Sequence, residues 1–285
     1  MGAHAAPGAW HLKRVAGYLI AFLVAYAAIL LLFSLFEKSF IFFPNFPPGR
    51  LSGDWKPAGL PVEDVWFTAS DGVKLHAWWI PAAGAQFTFV TFHGNAGNIT
   101  HRADVDSFLL TVPVNVLAVE YRGYGRSEGA PDEQGLYRDA EAAYDYLVRE
   151  RGIAPRAIVP FGQSLGTAVA ADLASKREVG ALILEAPFAS SRAVARRAYP
   201  FLPGLGLLIR TKLDTGAKLA RVRAPVLVVH CSRDPVISYA FGEEVFQMAS
   251  EPKQFFRVDG YCHEEASLVA PDAYRIKLRE FLGSL

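Results

Sequence analysis

Residues 157–170 read AIVPFGQSLGTAVA, so Gly162-Gln163-Ser164-Leu165-Gly166 lies between an apolar run of strand length and an alanine-rich helical pattern. In a strand-turn-helix context, G-x-S-x-G makes a turn too tight for side chains beside the serine. Glycine at 162 and 166 lets the chain double back and lifts the Ser164 hydroxyl above the sheet edge. A hydroxyl so placed can attack a carbonyl carbon if a base accepts its proton and an acid orients that base. Serine, acid, histidine is one chain order in which this constellation occurs. Asp234 closes the stretch that begins PVLVVH at 225, and His263 follows QFFRVDGYC. Both fall at the C-terminal ends of expected strands, on the edge where Ser164 emerges. His76 lies inside an early hairpin, His230 is still on a strand and His101 precedes the serine, so these fit less well. Glu185, at the end of another apolar run, is the alternative acid and reads better as a structural carboxylate. A plain turn serine, a loop histidine and a turn-forming aspartate before Pro235 are the competing readings.

Attack on a carbonyl develops negative charge on its oxygen, which needs N–H donors. The N–H of Leu165 points out of a helix N-terminus. The loop His93-Gly94-Asn95-Ala96-Gly97-Asn98 follows the third expected strand and offers the N–H of Asn95 as the second donor. Losing one such donor typically costs about 2.7 to 4 kcal/mol of barrier stabilisation. His93 reads as a structural loop residue. Glu264 and Glu265 beside His263 add negative charge that favours the protonated imidazole.

Several elements must position these groups. Segments 62–67 and 74–80 flank Ser70-Asp71-Gly72 as an antiparallel hairpin. Apolar runs at 87–92, 114–121, 157–161, 181–185, 226–230 and 254–258 have strand length, and helical patterns lie at 102–110, 133–149, 165–176, 241–249 and 272–282. Their alternation predicts an α/β fold: one mostly parallel eight-stranded sheet with helices on both faces. Pro160 removes a ladder donor and predicts that its strand ends or bulges there. Residues 189–222 form an insertion of cap length with AYPFLPGLGLLIR at 198–210. Such a cap either shelters an apolar acyl group or dips into a membrane interface, or it packs on its own domain.

The chain has 285 residues, net charge +1, 52% hydrophobic and 20% charged residues. This excludes a disordered tail protein and a nucleic-acid binder carried by bulk charge. Much of the apolar excess sits in residues 15–36, an uncharged run that would be about 33 Å long as a helix and so long enough to span a bilayer. A cleaved signal peptide has a shorter apolar stretch of about 7 to 15 residues and a small-x-small site. Here Ser34-Leu35-Phe36-Glu37-Lys38 follows instead. The expected organisation is a tail (1–14), a transmembrane anchor (15–36), a linker or strap (37–60) and one catalytic domain (61–285). Pro44, Pro47, Pro48 and Pro57 with Gly49, Gly53 and Gly59 argue against a helix in the strap. Lys13 and Arg14 precede the run, and Lys38 and Arg50 follow it with Glu37 and Asp54 between. The counts are even, and the proximity of Lys13 and Arg14 to the run, with the free amino terminus, tilts the N-terminus towards the cytoplasm and the domain to the opposite side. Trp10 on one side and Phe40, Phe42, Phe43 and Phe46 on the other are placed as interfacial aromatics, and the phenylalanines read equally as core residues. Gly2 is present, but Ala6 stands where myristoylation wants Ser or Thr.

Two cysteines, Cys231 and Cys262, are too few for a disulfide scaffold. In an exported domain a bridge between the acid and histidine loops is open if their Cα atoms lie within about 7 Å. A metal site at His230-Cys231-Cys262-His263 is disfavoured, since adjacent residues of an extended strand point to opposite faces. No cofactor or metal is expected.

Taken together, HGNAGN (93–98), YRGYGRSEG (121–129), FGQSLG (161–166), LEAPF (184–188) and SRD (232–234) resemble the α/β-hydrolase superfamily. More closely, they look like its membrane-anchored, short-capped branch, which includes eukaryotic protein depalmitoylases and many bacterial members. The likeness covers roughly residues 40–285. It implies an α/β-hydrolase fold, a Ser164, Asp234 and His263 triad, oxyanion amides at Asn95 and Leu165, and structural roles for Arg122 and Tyr124. It also implies serine-hydrolase activity on carboxylic esters or thioesters. A peptidase or acyltransferase on the same triad and a non-catalytic tethered protein are the alternatives. The expected partners are a small-molecule or lipid-like acyl ester and, through the helix, a membrane. Tyr261-Cys262-His263-Glu264-Glu265 departs from the branch, where a small residue more often precedes the histidine and Asn follows it.

Overall fold

Runs of β-branched and aromatic residues bounded by turns become strands, and in the computed structural model, which describes residues 7–44, 46 and 56–285, eight of them form one sheet. They are β1 (Glu63–Thr68), β2 (Lys74–Ile80), β3 (Phe87–Phe92), β4 (Val114–Val119), β5 (Ile158–Gln163), β6 (Leu182–Glu185), β7 (Val226–Cys231) and β8 (Lys253–Val258). Their order is β1-β2-β4-β3-β5-β6-β7-β8. β1 and β4 pair with β2 antiparallel, and the other pairs are parallel. β5 therefore runs in mid-sheet, with Gly162 beside Phe92 of β3 and Gln163 beside Glu185 of β6.

Successive strand residues point to opposite faces, so each strand feeds two cores. Val90 and Phe92 join one with Leu136 of the helix Glu133–Arg149, Val169 of the helix Leu165–Lys176 and Val245 of the helix Tyr239–Met248. Phe89 joins the other with Phe108 of the helix Ala103–Leu109 and Phe281 of the helix Pro271–Gly283. Burial on both faces explains why these strands read as continuous apolar runs.

Pro160 does not break β5. It stays in register with Val90, and pairing with β6 begins one residue later, at Phe161. The missing N–H thus removes a single donor from a strand whose six residues are all buried. The strap differs from expectation too: Glu37–Ile41 is a short helix. It ends before the first proline, Pro44, so nothing opposes it. Phe43–Pro44 then pairs in parallel with Ala96–Gly97. Upstream, the helix Pro7–Leu35 starts before residue 15 because Pro7 suits a first turn and the residues after it tolerate a helix. Its stretch Trp10–Leu35 is long and apolar enough to cross a membrane. Gly2, Ala6, Pro47, Pro48, Gly49, Arg50, Gly53 and Asp54 lie outside the described residues.

Between β6 and β7 the insertion forms three short helices, Ser191–Ala198, Leu205–Leu208 and Thr215–Leu219. Cys231 and Cys262 form a disulfide with Cα atoms 5.7 Å apart.

Arg122 ties the sheet edge to the helix Glu133–Arg149. Its guanidinium lies 2.7 Å from an oxygen of Asp139, whose side chain is fully buried, and donates two bonds to Asp71 at 2.7 and 3.1 Å. Removing one partner of a buried pair strands the other charge. Arg122→Met should therefore lower unfolding free energy by about 3–5 kcal/mol in urea titrations of the detergent-solubilised protein. A loss under about 1 kcal/mol would show that solvent reaches Asp139.

Candidate active site

β5 ends at Gln163 and the next helix starts at Leu165, which leaves one residue to reverse the chain. Ser164 takes φ 49° and ψ −115°, a region that residues with side chains rarely adopt. A Cβ on Gly166 would lie 1.9 Å from the Phe92 carbonyl oxygen, and one on Gly162 would lie 2.4 Å from that of Gly166. Close packing of backbone on backbone thus demands both glycines. The turn is pinned by Ser164 N–H donating to the Glu185 carbonyl at 2.9 Å.

Above it, Ser164 Oγ lies 2.9 Å from His263 Nε2, and His263 Nδ1 lies 2.7 Å from Asp234 Oδ2. With Nδ1–H donated to the carboxylate, Nε2 is left to accept from the serine hydroxyl. Asp234 sits in a turn around Pro235, its Oδ1 accepting the N–H groups of Val236 (2.7 Å) and Ile237 (2.8 Å). Burial works against ionisation of Asp234. Hydrogen bonds from His230, His263 and the Ile237 N–H outweigh it and hold the carboxyl well below the usual range. For His263, burial lowers the pKa, but the hydrogen bond to Asp234 and the charges of Glu264, Asp234 and Glu265 raise it above its ordinary 6.5.

Asn95 and Leu165 border the same cleft as Ser164. Leu165 opens its helix, so its N–H has no acceptor within it. The Asn95 carbonyl accepts from Phe43 N–H at 2.9 Å and Tyr124 O–H at 2.8 Å, and its side-chain amide donates to Ile41 O at 3.0 Å. Asn95 is thereby held through both its carbonyl and its side chain.

Other expected residues fall elsewhere. His93 is buried between the Gly94 carbonyl (2.8 Å) and Glu120 (3.2 Å). Glu185 accepts from Ala266 N–H (3.2 Å) and Tyr274 O–H (3.3 Å), anchoring the segment after His263, and burial pushes its pKa up to about 8. Glu264 pairs with Arg102 at 2.8 Å and covers Gly94, where a Cβ would lie 1.7 Å from its Oε1.

Two contributors escaped the sequence reading. His230 is buried with Nε2–H donating to Ile237 O at 2.9 Å and lies 3.3 Å from Asp234 Oδ2. The spacing of His230 and Asp234, four residues apart across a strand end, was the available signal. The other is the end of the N-terminal helix. The cleft over Ser164 has a volume of about 360 Å³ and is mainly apolar. Leu205 and Leu208 of the cap line one side, and Phe33, Phe40 and Ile41 line another. No pattern within residues 15–44 announces that contact.

A family model described as "Serine aminopeptidase, S33" matches residues 84–213. The uncharacterized protein Rv2307c of Mycobacterium tuberculosis is 35% identical over 265 residues, 92% of each chain. The alpha/beta hydrolase domain-containing protein WAV2 of Arabidopsis thaliana is 36% identical over 222 residues, 71% of this chain and 72% of that one. Among solved structures, the esterase Pf2001 of Pyrococcus furiosus superposes with a TM-score of 0.68 at 23% identity, covering 83% of this chain and 98% of that one.

A base must be neutral to take a proton, so reactivity at Ser164 should fall as pH drops through the His263 pKa, above 6.5. Glu264→Gln removes a charge that raises it and leaves Arg102 positive nearby. The inflection in the rate of Ser164 phosphonylation should then move to lower pH. An unmoved inflection would sink this role for Glu264.

Proposed function

Because the chain belongs to the α/β-hydrolase family, we propose that it is a membrane-anchored serine hydrolase that cleaves carboxylic esters or thioesters. The observation that carries this reading is the hydrogen-bonded line Ser164–His263–Asp234 at 2.9 and 2.7 Å beneath an apolar cleft. In the first half-reaction the Ser164 oxygen bonds to the acyl carbon while its proton passes to His263 Nε2. The carbonyl oxygen becomes an oxyanion facing the N–H groups of Asn95 and Leu165. His263 then protonates the leaving alcohol or thiol as its bond to the acyl carbon breaks. Water, deprotonated by His263, attacks the acyl-enzyme in the second half, releases the acid and restores the serine. Asp234 stays ionised throughout and stabilises the imidazolium.

A peptidase acting through the same residues is the second reading, favoured by the description of the matching family model. The cleft favours acyl substrates, since an apolar channel offers little to the polar backbone of a peptide. The helix Pro7–Leu35 supplies the anchor. The Cys231–Cys262 bridge, which suits an oxidising compartment, supports a domain on the translocated side with the N-terminus in the cytoplasm.

Fluorophosphonate should label the wild-type protein and leave Ser164→Ala unlabelled, and the variant should lose on the order of 10⁵- to 10⁶-fold in kcat on acyl esters. A folded wild type that takes no label would sink the hydrolase reading. For orientation, because Cys231 and Cys262 are buried, maleimide should modify them in denatured protein isolated from its native membrane only after reduction. Free thiols without reductant would favour a domain on the cytoplasmic side.

A further inference from the structure

Tyr26, Leu30, Phe33 and Ser34 are partly covered, while the side chains around them on the same helix are exposed. Their spacing puts them on one helical face. That face meets the cap: Tyr26 O–H donates to the Pro203 carbonyl, and the Phe33 and Tyr199 rings lie 5.8 Å apart. Just beyond the helix, buried Glu37 accepts the N–H groups of Arg210 at 3.0 Å and Thr211 at 2.6 Å, clamping the far end of the cap. Ile41 and Phe43 then join Asn95. Residues 33–43 therefore bridge the cap and the loop beside Ser164, and Phe33, Ser34, Phe40 and Ile41 wall the cleft.

Tyr26 precedes Leu35 by nine residues, about 14 Å along a helix. The tip of the cap thus lies beside the apolar length of the helix, not past its end. Its Phe201 and Leu207 are 71% and 83% exposed. Apolar side chains next to a membrane-length helix sit where lipid covers them.

We propose that the end of the membrane helix is one half of the acyl-binding site, and that the substrates are long-chain acyl esters or thioesters whose chains come from the lipid phase. This rests on Ser164 being the nucleophile. The chain lies between Phe33, Ser34 and Phe40 on the helix side and Tyr199, Leu205 and Leu208 on the cap side. A chain that moves from lipid into this cleft never exposes its methylenes to water, so its transfer meets no hydrophobic penalty. Short acyl groups bound at Ser164 gain less from the far wall, which makes the helix end a specificity determinant.

The test uses the full chain in phosphatidylcholine nanodiscs and the ratio of kcat/KM for p-nitrophenyl dodecanoate to that for the butanoate. Ser34→Phe fills the cleft and should lower the ratio by about tenfold. Leu23→Phe, at an exposed position of the same helix, should keep it. Phe33→Ala widens the cleft and should shift the preference towards hexadecanoate. Unchanged preferences in both Ser34→Phe and Phe33→Ala overturn the proposal. Dodecanoate binding to the Ser164→Ala chain gives a readout independent of turnover: adding Ser34→Phe should weaken it by about tenfold, and equal affinity overturns the shared site. Binding that depends on Ser34 in a protein that fluorophosphonate fails to label would leave the acyl site standing and sink the hydrolase reading.

Discussion

The backbone of Ser164 at φ 49° and ψ −115° is the constraint on which the remaining geometry depends. A residue with a side chain in so sparse a region costs on the order of 1–3 kcal/mol, and it persists only where its surroundings over-determine it. Here the flanks are β5, bonded on both sides in mid-sheet, and a helix whose second residue, Gly166, presses against the Phe92 carbonyl. Relaxing the turn would require the sheet and the helix to separate. Because the chain reverses at Ser164, its hydroxyl and the Leu165 N–H are both presented at the C-terminal edge of the sheet.

The opposite side of the site is held by cross-links between neighbouring loops. β7 and β8 pair in parallel, so the segments after them, with Asp234 and His263, leave the sheet side by side. Ser232 N–H donates to Val258 O at 2.8 Å and Arg233 N–H to Gly260 O at 3.0 Å, and the Cys231–Cys262 disulfide joins the same two segments. His230 approaches the carboxylate of Asp234 from below. Asp234 and His263 are thus held to each other by contacts that do not involve Ser164, and Glu185 completes the frame through Ala266. A frame of this kind keeps reacting groups within hydrogen-bond reach at little entropic cost during turnover.

The Asn95 loop depends on a more distant part of the chain. Asn95 is braced by Tyr124 and by the strap that follows the N-terminal helix. The N-terminal helix, the cap and the Asn95 loop are therefore one mechanical unit. A tether that only localised the domain would have no need of Glu37 holding two cap N–H groups.

Much of this was legible from residue order. Every expected strand exists to within two residues at either end, because apolar runs bounded by turn residues leave few alternatives in a doubly covered sheet. Ser164, Asp234 and His263 could be singled out because each follows the end of a strand, and parallel topology carries strand ends to one edge. The sequence alone likewise determined a membrane-length apolar helix and the demand for glycine at 162 and 166. Tertiary structure decided the rest. Pro160 remains in its strand because burial on both faces outweighs one lost donor. Glu37–Ile41 forms a helix because the prolines come later, and because its carboxylate finds cap amides 173 residues away in the chain. The contacts of His230 with Asp234, of Tyr124 with Asn95 and of Phe33 with the cleft depend on how distant segments pack. Local periodicity records which face of an element is apolar, and it carries no information about which partner will cover that face.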